Sequence, residues 1–289
     1  MPFNFRASTI TLGAITAMAL ALPTHAQTPP LKPSPLMESF STGMAPESAT
    51  QPGRTPTNLQ IYTSAHRLTG GQQNWKEIGV RGSHTTGAHV VYGEAASMRR
   101  FGESGVFVGL GDTYTFNPDW FGSVAVGAGD GASYLPTVRV DGFINRKLLV
   151  DRNLIASLGL GYYRAPDRHS DRNISLGATY YFSEPLILQG EVRFNNSRPG
   201  SVTTRQQFLA LTWGRNGATQ LTARHAWGRE GYQTIGNGDV LVDFSSHQSS
   251  LNLRHWLGAD WGIAAGVERY HNPYYNRTGA TLALFSEQP

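Results

Sequence analysis

The stretch LILQGEVRFN, residues 186–195, shows the pattern from which the fold of this chain follows. Apolar and polar side chains alternate along it with a period of two, the spacing of a β-strand with one apolar and one polar face. The apolar positions are Leu186, Leu188, Val192 and Phe194, and the polar positions are Gln189, Glu191, Arg193 and Asn195. Such a strand requires lipid or a packed core on one side and water on the other.

The same alternation recurs on both sides of this stretch, from Leu59 almost to the end of the chain. Segments of about ten residues end at Gly, Asn, Asp or Pro, the composition of turns between strands. About fourteen strands are predicted, with twelve as the alternative count, near residues 58–68, 74–82, 87–97, 105–115, 119–130, 136–147, 152–164, 172–182, 185–196, 202–213, 218–228, 246–257, 260–270 and 276–286. An even number places both termini on the periplasmic side, as in bacterial single-chain barrels.

The composition agrees with strands that face lipid and an aqueous interior in turn. The chain has 33 Gly, 11% aromatic residues and 15% charged residues, whereas soluble domains have about 25% charged residues. Closure into a barrel is the arrangement in which antiparallel strands lie in lipid without unpaired edge amides. The predicted fold is therefore all-β: a transmembrane, antiparallel, up-and-down β-barrel.

The N-terminal residues indicate export. Arg6 precedes an uncharged run over residues 7–22, and small residues at Thr24 and Ala26 form an A-x-A-like cleavage site. Residues 1–26 are predicted to be a signal peptide cleaved after Ala26, residues 27–57 a Pro-rich flexible leader, and residues 58–289 the barrel. The chain has no Cys, which excludes disulfides and thiolate chemistry. The predicted location is the outer membrane.

Three short motifs carry a family resemblance. They are RRFGES at residues 99–104, SYLP at residues 133–136 and GRE at residues 228–230. With these motifs the chain resembles the YaiO family of outer-membrane β-barrels from Leu59 to Phe285. The resemblance implies a location and an architecture but no biochemical activity, although some relatives occur with cell-surface polysaccharide systems.

Charged side chains at membrane depth are expected to face the interior, because an Arg on the lipid face costs about 2–4 kcal/mol at the midplane. The predicted lumen-lining residues are Glu94, Arg139, Asp141, Glu191, Arg193, Arg224, Arg254, Glu268 and Arg277. They form either a packed ladder of ion pairs in a closed barrel or the wall of a polar channel. In the channel, Tyr163 and Tyr181 are candidates for stacking on sugar rings.

Loops supply the remaining candidate sites. The longest predicted extracellular loop runs from Arg229 to Ser245, and a polar loop runs from Ala165 to Asp171. The second loop contains His169, Ser170 and Asp171, the residue types of a hydrolytic triad, but no G-x-S-x-G elbow is present. An outer-membrane enzyme is thus a third hypothesis, and neither a catalytic residue, a cofactor nor a metal site is predicted.

The leading functional hypothesis is a passive pore or conduit for saccharide or exopolysaccharide. A non-conducting structural or ligand-binding barrel is the alternative. The expected partners are outer-membrane lipids, the barrel-assembly machinery and a saccharide ligand. Nucleic acid is not expected, because the net charge is only +4 and the basic residues form no continuous stripe.

Overall fold

Fourteen antiparallel strands form one closed barrel in the computed structural model, as the sequence predicts, and the alternative count of twelve is wrong. The structure describes residues 57–167, 169–183, 185–235 and 239–288, without the side chains of residues 239 and 288. The predicted signal peptide and nearly all of the leader lie outside these residues. The strands are β1 (Thr57–Leu68), β2 (Trp75–Thr86), β3 (His89–Arg100), β4 (Glu103–Asn117), β5 (Trp120–Gly129), β6 (Val138–Leu148), β7 (Leu154–Arg164), β8 (Ser170–Tyr181), β9 (Leu186–Arg198), β10 (Val202–Gly214), β11 (Thr219–Ile235), β12 (Asp239–Trp256), β13 (Trp261–His271) and β14 (Asn276–Gln288).

Each strand pairs with its neighbours in sequence, and β1 closes the barrel against β14. The closing pair runs in register from Thr57 opposite Gln288 to Leu68 opposite Arg277. Closure pairs the edges that an open sheet would expose to lipid. Within the described residues, no helix is long and apolar enough to cross a membrane.

The alternation seen in the sequence sorts side chains between the two faces of the wall. In β9, Leu188 and Phe194 are 41% and 47% exposed, whereas Arg193 between them in the pattern is 7% exposed. The same contrast holds around the barrel, where most of the exposed large hydrophobic residues lie on the outer face. The outer wall is therefore an apolar surface suited to lipid, and the inner wall is predominantly polar.

The two ends of the barrel differ. We call the end that carries Thr57 and Gln288 the inner end and the opposite end the outer end. In bacterial single-chain barrels the termini are periplasmic, so the outer end corresponds to the cell exterior. The connections at the outer end include residues 69–74, 130–137 and 272–275, together with the hairpin between β11 and β12.

The hairpin between β11 and β12 corrects the predicted loop from Arg229 to Ser245. Strand β11 continues to Ile235 and β12 begins at Asp239, and their pairing includes Tyr232 opposite Val242. The Gly residues of this stretch favour a turn, but alternating apolar side chains between them form a longer pair of strands. A smaller correction applies to the loop from Ala165 to Asp171, because β8 already begins at Ser170.

Candidate functional site

The interior of the barrel holds the nine predicted lumen residues, several of them in ion pairs between near neighbours. Arg139 Nε donates to Asp141 Oδ2 at 2.6 Å, and Arg193 Nη2 donates to Glu191 Oε1 at 2.7 Å. In each case the two partners are two residues apart on one strand, so both side chains point inward. These pairs neutralise charges on side chains that are at most 11% exposed.

The other predicted residues have more distant partners in sequence. Arg277 Nε donates to Glu268 Oε1 at 2.9 Å, and Arg254 pairs with Glu287. The guanidinium of Arg224 lies 4.2 Å from the centre of the Phe208 ring. Glu94 accepts a hydrogen bond of 2.6 Å from the hydroxyl of Tyr62.

The two predicted stacking residues lie at opposite ends of the barrel. Tyr163 is buried near the outer end, with its ring centre 6.5 Å from that of His169. Tyr181 lies near the inner end and packs against Phe121 and Ile155. The interior therefore does not bring these two rings together.

The RRFGES motif forms the turn between β3 and β4. Phe101 and Gly102 both have positive φ, 51° and 88°, which is the type I′ geometry that suits a two-residue hairpin. Positive φ is uncommon for an aromatic residue, and here it directs Phe101 against Trp75, with ring centres 5.1 Å apart. Arg100 is buried beside them and donates to Glu77 Oε2 at 3.1 Å.

The RRFGES and SYLP motifs contact each other directly. The carboxylate of Glu103 accepts hydrogen bonds from the backbone N and the hydroxyl of Ser133. The hydroxyl of Tyr134 donates to the carbonyl of Met98 at 2.9 Å. Burial raises the pKa of Tyr134 well above its usual range, which keeps this hydroxyl protonated as a donor. The loop over residues 130–137 is thereby held inside the barrel, where Leu135 is 1% exposed.

The GRE motif anchors the hairpin between β11 and β12. Glu230 is buried and accepts a hydrogen bond of 2.8 Å from the hydroxyl of Tyr270. Farther along the hairpin, Gln233 Nε2 donates to the hydroxyl of Tyr275 at 2.7 Å. On its other side, Tyr232 donates to the carbonyl of Pro199. The hairpin thus contacts two other connections at the outer end of the barrel.

A buried cluster fills the outer end beneath this hairpin. We call it the mouth cluster; it comprises Leu68, Trp75, Phe101, Ile235, Leu241, Phe244, Tyr270 and Tyr275. The Trp75 ring lies between two guanidiniums, 4.8 Å from that of Arg100 and 4.3 Å from that of Arg277. Tyr270 and Arg277 are both 0% exposed. In this conformation, protein side chains close the outer mouth.

The inner half of the barrel contains both buried and partly exposed inward-facing side chains. Several inward-facing polar side chains there remain partly exposed although they point away from the lipid, namely Arg81, Ser83, Thr85, Gln189 and Gln220. Solvent therefore reaches part of the inner half, although Gln60, Asn145, Thr212, Arg254 and Glu287 are buried there. The outer end, by contrast, is closed by the mouth cluster.

Comparison with known families identifies this architecture. The model of the YaiO membrane beta barrel domain matches residues 56–233. The chain belongs to the YaiO family. The match ends within β11, short of Phe285, so all of β12, β13 and β14 lie beyond it.

Solved structures share the barrel fold with this YaiO chain. The CymD monoaromatic hydrocarbon channel matches with a TM-score of 0.53 and 5% identity over 81% of this chain and 88% of that one. A bacterial polysaccharide outer membrane secretin has a TM-score of 0.49 and 10% identity over 81% and 98% of the two chains. An anion-selective porin from Comamonas acidovorans matches with a TM-score of 0.44 and 13% identity over 81% of this chain and 99% of that one. No curated protein matches the sequence significantly.

The loop residues considered for catalysis lie at the outer end. His169 Nε2 is 3.1 Å from Asp171 Oδ1, and the ring of His169 contacts that of Tyr232 with centres 4.1 Å apart. Ser170 lies between these two residues in sequence and has no hydrogen bond to the His169 ring among the described contacts. The described residues include no group of three or more His, Cys, Asp and Glu able to hold a metal ion.

Several residues of the YaiO mouth were absent from the sequence-based candidates. Glu77 occupies an inward position of the strand predicted over residues 74–82, so the period of two could have identified it. Arg100 lies three residues beyond the strand predicted over residues 87–97, because β3 continues to Arg100. Glu230 and Tyr275 could not be found in this way. Glu230 lies where the alternation within β11 breaks, and Tyr275 lies in the connection between β13 and β14. Their role depends on contacts with residues 40 and 42 positions away in the chain.

Proposed function

We propose that this YaiO-family protein is a passive outer-membrane conduit for saccharide or exopolysaccharide, with an outer mouth that is closed in the conformation described. One contrast carries the proposal: the mouth cluster is buried, whereas some inward-facing polar side chains of the inner half, on β2, β9 and β11, are partly exposed. A barrel filled throughout would leave inward-facing side chains buried at every level. The closed mouth therefore acts as a gate above a polar vestibule.

The chemistry of the mouth supports a saccharide as the solute. The rings of Trp75, Tyr270 and Tyr275 are covered by protein side chains in this conformation. Once the gate opens, their apolar faces become available for stacking with sugar rings. Around them, Trp75 Nε1, Arg277 Nη1 and Arg277 Nη2 are buried without a hydrogen-bond partner among the described residues. Sugar hydroxyls could accept hydrogen bonds from these groups once the gate opens. Tyr163 and Tyr181 remain candidates for stacking at the two ends of the path.

The hairpin between β11 and β12 is the element best placed to move as the gate. Its strands extend past the neighbouring hairpins, and its contacts with the rest of the mouth are made by side chains such as Tyr232 and Gln233. Displacing it would remove Ile235, Leu241 and Phe244 from the mouth cluster while leaving the barrel wall paired.

A non-conducting barrel is the second candidate, and the buried ion pairs favour it. Glu268 contacts both Arg277 and His66, and a charge network of this kind also stabilises a permanently filled interior. Neither proposal includes catalysis, and the matching family model describes a membrane beta barrel domain.

Conductance in planar bilayers separates the two candidates. The test compares the full-length protein with a variant in which residues 232–242 are replaced by an Asn-Gly turn. We expect low conductance from the unmodified protein, and from the variant a stable unitary conductance that added oligosaccharide reduces. The matched control shortens the inner-end turn over residues 149–153, which leaves the mouth intact. If the variant folds and conducts no more than the control, the conduit proposal fails and the filled barrel stands.

A further inference from the structure

The outer wall of the barrel carries basic side chains close to the outer mouth. Outward-facing Arg and Lys residues lie near the outer-end connections on most strands, namely Arg67, Lys76, Arg99, Arg164, Arg172, Arg198, Arg205, Arg229 and Arg269. Lys76 and Arg99 stand directly opposite each other in register. Like charges in this arrangement destabilise a sheet. An anion bound from outside would reduce the repulsion between them.

Some charges on the outer face have a partner of opposite charge and others have none among the described residues. Near the inner end, Arg152 pairs with Asp119 at 2.6 Å, and His89 lies 2.7 Å from Asp112. Near the outer end, Arg229 pairs with Asp243. Arg67 and Arg269, by contrast, have no hydrogen bond or ion pair with any residue that the structure describes. Their charges are therefore available to a ligand outside the barrel.

Two of these arginines belong to a continuous polar row that crosses five strands. The register places Arg67 beside Thr278, Thr278 beside Arg269, Arg269 beside Ser249, and Ser249 beside His225. Neighbouring strands are about 4.8 Å apart, so the Arg67 and Arg269 backbones are about 10 Å apart with the Thr278 hydroxyl between them. His225 Nδ1 and Ser249 Oγ are 2.9 Å apart at the end of the row.

An apolar groove begins at this row and extends toward the inner end. It has a volume of about 600 Å³, and its polar margin includes Arg269, Ser249, His225 and Thr278. Its apolar lining includes Leu209, Leu211, Ala223, Leu251 and Val267. Leu251 lies two residues from Ser249, and Val267 lies two residues from Arg269, in both cases toward the inner end. They therefore point to the same outward face as the polar row. A basic margin above an apolar groove matches a lipid with a charged headgroup.

We propose that the polar row binds the phosphate of a phosphorylated glycolipid of the outer leaflet, with acyl chains of that lipid in the groove. Guanidinium groups bind phosphate oxygens through charge-assisted hydrogen bonds, often in pairs, and the Thr278 and Ser249 hydroxyls add neutral donors. Because the polar row lies near the outer mouth, we expect the lipid to come from the outer leaflet. Because Arg67 and Arg269 have no counter-charge among the described residues, we expect its headgroup to be anionic. This site lies on the wall, so it is independent of the conduit proposed for the interior.

Lipid titration of the purified full-length protein in detergent tests the site. The probes are bis-phosphorylated lipid A, lipid A with its phosphates removed, and phosphatidylglycerol, with bound lipid counted by native mass spectrometry. We expect the phosphorylated glycolipid to bind at least tenfold more tightly than either other probe. Equal affinity for the dephosphorylated form would overturn the phosphate assignment, and equal affinity for phosphatidylglycerol would overturn the glycolipid assignment.

Paired variants identify the residues responsible. Arg67→Gln combined with Arg269→Gln is expected to weaken binding of bis-phosphorylated lipid A by at least tenfold. Arg146→Gln combined with Arg215→Gln removes the same charge near the inner end and is expected to leave affinity unchanged. An equal loss in both pairs would show a nonspecific charge effect and overturn the site.

A second pair of variants tests the groove and cannot act through charge. Ala223→Leu narrows the groove and is expected to reduce lipid retention severalfold, while Ala95→Leu, on the outer face of β3, leaves it unchanged. Barrel formation is checked for every variant by circular dichroism. Retention of lipid by a folded Ala223→Leu variant at the unmodified level would overturn the assignment of the acyl chains to the groove.

Discussion

A single carboxylate, that of Glu103, connects two motifs that are 30 residues apart in the chain. It accepts hydrogen bonds from the backbone N of Ser133 at 3.0 Å and 3.1 Å and from the Ser133 hydroxyl. Hydrogen bonds to a charged group contribute about 1.5–3 kcal/mol each. The inward course of residues 130–137 therefore depends strongly on one side chain at the start of β4.

Glu103→Ala is expected to release this loop while the barrel remains folded. The local free energy of opening should fall by about 1–3 kcal/mol, because the donors of Ser133 lose their acceptor. Hydrogen exchange of the amides in residues 130–137, followed by mass spectrometry, measures the change. The control is Asp130→Ala, which removes a carboxylate from the same loop that makes only a 3.5 Å contact with the backbone N of Ala132. Equal exchange in the two variants would contradict the anchoring role.

Arg277 and Glu268 form the most deeply buried ion pair among the predicted lumen residues. Arg277→Met is expected to destabilise the barrel by about 3–5 kcal/mol, because Glu268 is then left buried with only His66 and Gln248 nearby. Thermal unfolding, followed by the electrophoretic shift of the folded barrel, measures the loss. Adding Glu268→Gln should restore part of it, since no buried charge then remains. Arg205→Met, on the exposed outer wall, is the control. The expectation is refuted if Arg277→Met alone is as stable as this control.

At the scale of elements, the hairpin between β11 and β12 shows how a sequence pattern can be misread. Gly and Asp residues between Arg229 and Ser245 favour a loop, yet the strands continue and bring Ile235, Leu241 and Phe244 into the mouth cluster. The strand pairing resumes beyond Gly231 and Asp243, and Asp243 has a positive φ of 51°. This local break changes which side chains face inward, so simple alternation cannot be followed through it.

Phe244→Ala is expected to loosen the hairpin, because it removes a side chain that is 4% exposed from the mouth cluster. Loss of a buried Phe costs about 3–5 kcal/mol in a packed core. Limited proteolysis of the protein in liposomes, with protease added outside, should therefore cut the hairpin more rapidly. Phe116→Ala, which truncates a residue 55% exposed on the outer wall, serves as the control. The packing role is refuted if both variants are cut at the rate of the unmodified protein.

At the scale of the whole molecule, the seam between β1 and β14 decides whether the sheet closes. Glu287 lies at the inner end of this seam, where it accepts hydrogen bonds from Asn58 Nδ2 at 3.3 Å and Trp256 Nε1 at 3.0 Å. It also pairs with Arg254, whose guanidinium lies 3.4 Å from the centre of the Phe285 ring. Contacts from β1 and β12 thus converge on one carboxylate of β14.

Glu287→Ala is expected to destabilise the closed barrel by about 3 kcal/mol or more, because Arg254 would remain buried without its carboxylate. The yield of folded, heat-modifiable barrel after refolding into detergent measures this effect. Ser286→Ala changes the adjacent residue, which lies on the other face of the strand, and should leave the yield unchanged. Equal yields of the two variants would exclude a role for Glu287 in closure.

The sequence by itself determined the barrel fold, favoured fourteen strands over twelve and showed the resemblance to the family. A period of two is a local property, so each strand and its two faces could be recognised without knowledge of any neighbour. The same property predicted which charged residues, such as Arg193 and Glu268, occupy inward positions.

Only the tertiary structure decided how the outer mouth is closed. Glu103 with Ser133, Glu230 with Tyr270, and the two arginines around Trp75 meet through strand register and through bends in the connections. Register and bends arise from packing among all the strands, which no local pattern records. The physical reason is that alternation along a strand specifies the face of the sheet on which a side chain lies. The partner that this side chain meets is set by the closure of the whole sheet.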